Sequence, residues 1–208
     1  RVYKTESNSG APALPKNIGL HFSKGEYIAF LDHDDEWLPN KLREQLEIIQ
    51  YGKDNIGMVS CFLNLKNWHT NKIESVHNKF PKKNKLQNLY QRNFFVTSSG
   101  MVVKRSVFED VGLFDSRFKV SDDWDMWLRI MRAGYDFEIC PLYLVNYFIH
   151  QSNLSSTSNI DSQFEEFKLL QEKYNIDGKN IKDGWFLGYY YFKKGEYRKA
   201  FKYNIKNI

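Results

Sequence analysis

Apolar residues in this chain fall either in short unbroken runs or at helical spacing, and turn formers separate the two patterns. Tyr27-Ile28-Ala29-Phe30-Leu31 is an unbroken run that follows Gly25 and halts at Asp32, which predicts a strand buried on both faces. Pro39 stands where a helix can open, and Leu38, Leu42, Leu46 and Ile49 recur at helical spacing until Gly52, predicting an amphipathic helix over 39–51. Before these, Arg1 to Lys4 reads as a short strand, Ser7-Asn8-Ser9-Gly10 as a turn and 17–23 as a short helix. So abrupt an opening reads as the middle of a fold.

Gly57 to Leu65 predicts another strand, and the basic, Asn-rich stretch to about residue 85 a loop or lid. Ser106 and Glu109 stand three apart, as in a capping box, and head a short helix that ends at Gly112. Ser121 can cap a helix with Trp124, Trp127, Leu128 and Met131 on one face, closing at Gly134, which puts Asp122 and Asp123 in its first turn. Phe137 to Phe148 is strand-like, and apolar residues at 160, 164, 167, 170 and 174 give a helix period. Segments 185–193 and 196–205, broken by Gly195, predict a helical hairpin whose Gly195-Glu196-Tyr197-Arg198-Lys199-Ala200 is similar to part of a tetratricopeptide repeat. One such unit cannot stack alone, so it is expected to pack on the main domain or on residues further along. The fold class expected is α/β: a mixed, largely parallel sheet with helices on both sides, over 1–155, and a helical extension over 156–208, tetratricopeptide-like at 185–206.

With 42% hydrophobic and 16% aromatic residues in 208, the chain can bury one mid-sized core plus a short appendage. No run approaches the roughly eighteen apolar residues of a membrane span, and no charged-then-apolar signal precedes the first turn. Cys61 and Cys140 lie far apart in apolar surroundings, which predicts buried thiols rather than a disulfide or a metal clip, and a cytoplasmic setting. Thirty Lys and Arg against twenty-five Asp and Glu leave a net charge of +5, concentrated at Lys79, Lys82, Lys83 and Lys85 and at the C-terminus. That run reads first as a solvated loop, and next as a surface for an anionic membrane or a phosphorylated acceptor, which allows peripheral association at the inner membrane face. Nucleic acid is not expected, because the basic run lacks interleaved aromatics and no zinc, homeodomain or RNA-binding signature accompanies it.

The strongest chemical signal is Phe30-Leu31-Asp32-His33-Asp34-Asp35-Glu36-Trp37-Leu38-Pro39, where a strand delivers four carboxylates to its C-terminal edge. That edge is where open α/β sheets bind ligands. Crowded carboxylates repel unless a cation or hydroxyl donors engage them, and an Asp-x-Asp pair projects two side chains to one side of extended backbone. One can then grip a hard cation while the other reaches a ribose or sugar, and the cation neutralises a departing diphosphate. An EF-hand is excluded because Trp37 occupies the sixth position, where Gly is required. A haloacid-dehalogenase-type phosphatase is a remote rival, since Asp35-Glu36 replaces its small Gly-Thr.

Asn8-Ser9-Gly10-Ala11-Pro12-Ala13 with Pro15-Lys16-Asn17-Ile18-Gly19, the acidic turn, Ser98-Ser99-Gly100-Met101-Val102-Val103-Lys104-Arg105 and Gly112-Leu113-Phe114-Asp115 together resemble the family-2 glycosyltransferases. So does Ser121-Asp122-Asp123-Trp124-Asp125-Met126-Trp127-Leu128-Arg129, similar to that family's Glu-Asp-x-Asp-x-Trp segment with Asp122 in place of Glu. The resemblance runs from about Val2 to Ser155 and implies the GT-A nucleotide-diphospho-sugar fold, an inverting transfer and a Mn²⁺ or Mg²⁺ cofactor. It places Asn8, Gly10, Lys16, Asn17, Asp32 and Asp35 on the nucleotide sugar, Asp34 with Asp32 on the metal, and Ser99 and Trp124 toward the acceptor. Lys16 stands where Arg is more frequent, which keeps the charge but loses the bidentate fork. Tyr147-Phe148-Ile149-His150-Gln151-Ser152-Asn153-Leu154-Ser155 resembles the family's Tyr-Arg-x-His-x-x-x-x-Ser ending, and sets His150 near metal and diphosphate, with Phe148 replacing the basic residue.

In the same pattern Asp123 is the general base and Asp122 its neighbour. Displacement at an anomeric carbon does need a carboxylate to take the acceptor hydroxyl's proton opposite the leaving group, and a helix N-terminus favours its ionised form. Trp127 and the Tyr189-Tyr190-Tyr191-Phe192 stretch read as packing. The family's opening strand, helix and base-gripping acidic loop have no counterpart here, so a truncated copy or fragment of a longer enzyme is expected. The implied partners are a nucleotide-diphospho-sugar donor and a hydroxyl-bearing glycan or lipid-linked acceptor, in surface polysaccharide or glycoconjugate assembly. A non-catalytic module that keeps the fold for protein or glycan contact is the alternative of a different class.

Overall fold

Proline decides where the first helix starts. Helix α1 spans Ala13–Phe22, opening before the predicted residue 17, with Pro12 at its N-cap and Pro15 in its first turn, where backbone N–H groups have no partner within the helix. A computed structural model of the chain describes residues 2–154, 159–176 and 185–203. Within it residues 2–4 join no strand, contrary to the sequence expectation; Tyr3 instead stacks on Phe22, ring centroids 4.0 Å apart.

Strand β1 is Tyr27–Ala29, shorter than the apolar run that predicts it. Ile28 and Phe30 point into the core, whereas Leu31 is 51% exposed, so the expected burial on both faces is corrected. The chain leaves the sheet after Ala29, and Leu31 turns out into a cleft. After the two-residue strand β2, Glu36–Trp37, comes helix α2, Lys41–Tyr51, preceded by Asn40 in the left-handed region at φ 69°. Its buried residues are Lys41, Gln45 and Ile49, and Leu46 packs against the same core cluster as Ile49, as the helical spacing predicts, whereas Leu42 is exposed. Lys41 lies with its Nζ 4.4 Å from the centroid of the Trp37 ring, which gives its buried charge an aromatic face.

Strand β3, Ile56–Asn67, covers the strand predicted over 57–65, and β4, Ile73–His77, pairs with it as a hairpin within the stretch that reads as loop from the sequence. Asn67 Oδ1 accepts the N–H groups of His69 and Thr70 and so shapes the turn. Beyond a 3₁₀ turn at Ser98–Gly100 follow strand β5, Val102–Lys104, helix α4, Arg105–Val111, helix α5, Asp122–Arg132, and strand β6, Asp136–Ile149. Ser106 lies inside α4, whose N-cap is Lys104, so the expected capping box is absent there.

The sheet order is β1-β5-β3-β6-β2, with β4 also on β3. Among the described residues only β3 and β6 pair in parallel, so the sheet is mixed as expected but not largely parallel. A parallel pairing needs a long crossover, and the β3-to-β6 connection supplies it with α4 and α5, while β4 and β5 return antiparallel to β3. On one side of the sheet Ile49 packs with Val59, Cys61, Leu63, Cys140 and Val145. Elsewhere Trp127 is fully buried against Phe30, Phe95 and Phe114, the packing role read from its helical spacing.

Residues 1–80 with 95–156 form one compact unit, and 81–94 with 157–208 another. The second contains helices α3, Lys85–Gln91, α6, Ile160–Tyr174, α7, Trp185–Lys193, and α8, Tyr197–Lys202. Phe164 of α6 stacks on Tyr190 of α7 at 4.0 Å, and Tyr191 stacks on Tyr203 at 5.7 Å, so these tyrosines are packing residues. Gly195 takes φ 72° between α7 and α8, as a hairpin requires. Residues 204–206 of the tetratricopeptide-like stretch lie outside the described residues.

Candidate active site

The acidic turn after β1 rests on a floor of hydroxyls. Asp32 donates its N–H to Ser99 Oγ at 2.9 Å, and the Trp37 indole donates to the Ser99 carbonyl at 2.9 Å. Thr97 Oγ1 lies 3.0 Å from Asp32 Oδ2 and 2.9 Å from Asp35 Oδ2, and it accepts the Ser99 N–H. A hydroxyl has one proton, so Thr97 donates to one of these carboxylates at a time. Sequence reading missed Thr97, because nothing in a Thr-Ser-Ser run signals which carboxylates lie above it. Ser99, expected toward the acceptor, is fully buried and engaged beneath the acids.

Burial pushes the Asp35 carboxyl up to about 6; its hydrogen bonds to Ser99 and Thr97 oppose this, and the charges of Asp32 and Asp34 add to it. Asp35 Oδ1 is buried without a hydrogen-bond partner. Asp34 Oδ2 faces His150 Nε2 at 3.0 Å, and His150 Nδ1 lies 2.8 Å from Ser152 Oγ. His150 thus joins the acidic turn from the far end of β6. Asn153 braces the same corner: its Nδ2 lies 3.4 Å from Asp34 Oδ2, and its Oδ1 accepts the His150 N–H at 2.6 Å.

The second acidic pair stands at the first turn of α5. Asp122 is buried and ion-paired to Lys16 of α1 at 3.0 Å, and the same ammonium donates to Ser98 Oγ at 2.9 Å. Burial works against the charge on Lys16, yet Asp122, Asp123 and Asp32 more than offset it and its pKa is raised. Half-buried Asp123 is pushed up to about 7, by burial first and by the Asp122 charge second, with Lys16 pulling the other way. A carboxyl poised there can exchange a proton near neutral pH.

Asp32 and Asp34 of the first cluster and Asp122 and Asp123 of the second line one cleft of about 1030 Å³, together with Asn8, Gly10, Lys16 and Leu31, whereas Asp35 and His150 stand behind its lining. Gly10 takes φ +66°, and Asn8 Oδ1 accepts its N–H. Asn17 does not line the cleft; its side-chain amide clasps both the N–H and the carbonyl of Phe114 at 2.8 and 2.9 Å. Trp124 is buried.

Among the described residues no three His, Cys, Asp or Glu side chains converge as a closed metal cage. The Asp34 and His150 pair, with the unpartnered Asp35 oxygen in the same turn, nonetheless fits a hard cation that takes one or two protein ligands and completes its shell from phosphate and water. No helix among the described residues is long and apolar enough to cross a membrane.

Comparison with known proteins places this architecture. Residues 1–182 match the family described as "Glycosyltransferase like family 2". An uncharacterized glycosyltransferase of Rickettsia typhi is 26% identical over 174 residues, which are 81% of this chain and 52% of that protein. The chain therefore spans about half the length of that relative. The UDP-Glc:alpha-D-GlcNAc-diphosphoundecaprenol beta-1,3-glucosyltransferase of Escherichia coli is 26% identical over 208 residues, covering 98% of this chain and 75% of that protein. Among solved structures, S. aureus TarS with UDP-GlcNAc superposes with a TM-score of 0.62 at 15% identity, over 99% of this chain and 60% of that one. A mannosyltransferase from Pyrobaculum calidifontis in complex with GDP-Man and Mn²⁺ gives 0.58 at 14% identity, over 92% of this chain and 54% of that one. These two likenesses carry the fold, a mixed sheet flanked by helices as in GT-A glycosyltransferases, and the family match carries the membership: this chain belongs to the family-2 glycosyltransferases.

Proposed function

We propose that the protein moves a sugar from a nucleotide-diphospho-sugar to a hydroxyl acceptor with inversion, using Asp123 as the base. The observation that carries this reading is the single cleft lined by Asp32 and Asp34 at one end of a buried contact network and by Asp122 and Asp123 at the other, with Lys16 reaching Asp122. The acceptor oxygen bonds to the anomeric carbon as the bond from that carbon to the diphosphate oxygen breaks. Asp123 takes the hydroxyl proton and the nucleoside diphosphate leaves with the bonding pair. Lys16 favours the ionised form of Asp122 beside the base, against burial, which raises the Asp122 pKa overall, and the hydroxyl floor of Thr97 and Ser99 holds the acidic turn in place. A divalent cation, Mn²⁺ or Mg²⁺, held by Asp34 and His150 with Asp32 nearby, would supply charge neutralisation at the departing diphosphate.

The Escherichia coli relative's name specifies a diphosphoundecaprenol-linked acceptor, and another relative, from Erwinia amylovora, is named for amylovoran biosynthesis. A lipid-linked or glycan acceptor in surface polysaccharide assembly is therefore the acceptor class we assign. The test is turnover of a panel of nucleotide sugars by the full-length protein with Mn²⁺, comparing wild type with Asp123→Asn and Asp34→Asn. Loss of turnover by a factor of about 10² or more in Asp123→Asn supports the assignment. Turnover indifferent to that change removes Asp123 as base, and turnover indifferent to chelation removes the cation.

A further inference from the structure

We propose that Trp68, in the turn between β3 and β4, is a positioning residue that holds the His150 imidazole for cation binding; the proposal rests on the cation reading above. Trp68 comes from neither the acidic turn nor β6, and no motif marks it. Its ring centroid lies 5.3 Å from that of His150 at an interplanar angle of 59°, and 5.5 Å from that of Phe148 in an edge-to-face contact. Its backbone N–H donates to the Ile149 carbonyl at 3.2 Å, which ties the hairpin turn to the strand end that carries His150. Trp68 is 51% exposed.

A cation arriving at His150 would remove some of the restraints on its ring and leave others. In the structure His150 is oriented by Asp34 and by Asn153 Nδ2, 3.2 Å away, on Nε2, and by Ser152 on Nδ1. If Asp34 and Nε2 both turn to a cation, the contacts of Nε2 with Asp34 and with Asn153 Nδ2 are given up. Ser152 fixes the ring's far nitrogen through a single exposed hydrogen bond, which restrains the swing about the Cα–Cβ bond only in part. The Trp68 wall closes that swing and is independent of the contacts that are lost. Groups that orient a metal-binding His without touching the metal commonly contribute one to two orders of magnitude in metal affinity.

The test is a Mn²⁺ titration of the full chain, with free Mn²⁺ read by its electron paramagnetic resonance signal. Trp68→Ala is expected to weaken Mn²⁺ binding about tenfold, and Trp68→Phe, which keeps a flat ring, to restore most of it. In a His150→Ala background Trp68→Ala should add nothing, because its effect passes through the imidazole. If Trp68→Ala binds Mn²⁺ as wild type does while His150→Ala does not, or if the two losses simply add, the proposal is overturned and the cation reading stands. If wild type and His150→Ala take up Mn²⁺ equally, the cation reading fails and the proposal with it. Thermal unfolding of each variant separates either result from loss of fold.

Discussion

The ammonium of Lys16 ends 3.0 Å from the carboxylate of Asp122, so a residue of the first helix sets the electrostatics of an acidic pair more than a hundred positions away. The same charge also acts on Asp123 and feels Asp32, so both acidic clusters share one buried cation.

Removing that cation should show in the pH profile. Lys16 pulls the Asp123 pKa down, so Lys16→Met should move the acidic limb of kcat/KM to higher pH than the wild-type limb, which is expected near 7. Lys16→Arg keeps the charge and should leave the limb close to its wild-type place. A limb unmoved in Lys16→Met would mean that Asp123 is not the group being titrated.

Asp123 also links activity to stability with opposite signs. Its folded pKa, about 7, is above the ordinary 3.8, so the folded state binds more protons between those values and stability falls as pH rises through the window. Asp123→Asn should therefore be inactive yet more stable at pH 8, by about 1–3 kcal/mol, with the gain vanishing below pH 4. Urea denaturation at the two pH values measures it.

Thr97→Val removes the hydroxyl shared by Asp32 and Asp35 and the acceptor of the Ser99 N–H. A loss of about 1–3 kcal/mol is expected, together with weaker donor binding, while Thr97→Ser should keep most of both. Denaturant midpoints and donor KM distinguish a local effect on the acids from general destabilisation.

Lys41 offers a stabilising change. Its amine is buried with no hydrogen-bond partner, and burial lowers its pKa to about 8. Lys41→Met keeps the length of the stem and should stabilise the protein at pH 7 by about 1–3 kcal/mol. The folded state here binds fewer protons than the unfolded one between about 8 and 10.5, so wild-type stability rises with pH and the advantage of Met should shrink across that window. Melting temperatures at pH 7 and pH 10 test both halves.

The acidic turn was legible because a β-rich run, a cluster of like charges and a helix-opening proline coincide within ten residues, and few folded contexts tolerate that combination. The first turn of α5 was legible for a similar local reason, with acids where the helix dipole favours them. Thr97 and Trp68 were not, since each owes its place to chain segments tens of residues distant. The face of α2 was read only in part: Leu46 and Ile49 pack on the core as their spacing predicts, but Lys41 and Gln45 are polar by type yet buried, and Leu42 is exposed. The sheet's strand directions were misread as well: periodicity reports burial and says nothing of which way a neighbour runs.

Strand β3 aligns with β6 from Ile56 opposite Asp136 to Asn67 opposite Ile149, partners roughly eighty residues apart in the chain. His150 follows immediately on that seam. Closing so long a loop loses entropy before any contact rewards it, so the zipping of this pair should limit the rate of folding. Until it is complete, the imidazole has no fixed place, and on the reading proposed above a newly made chain would have no assembled site well after its helices have formed.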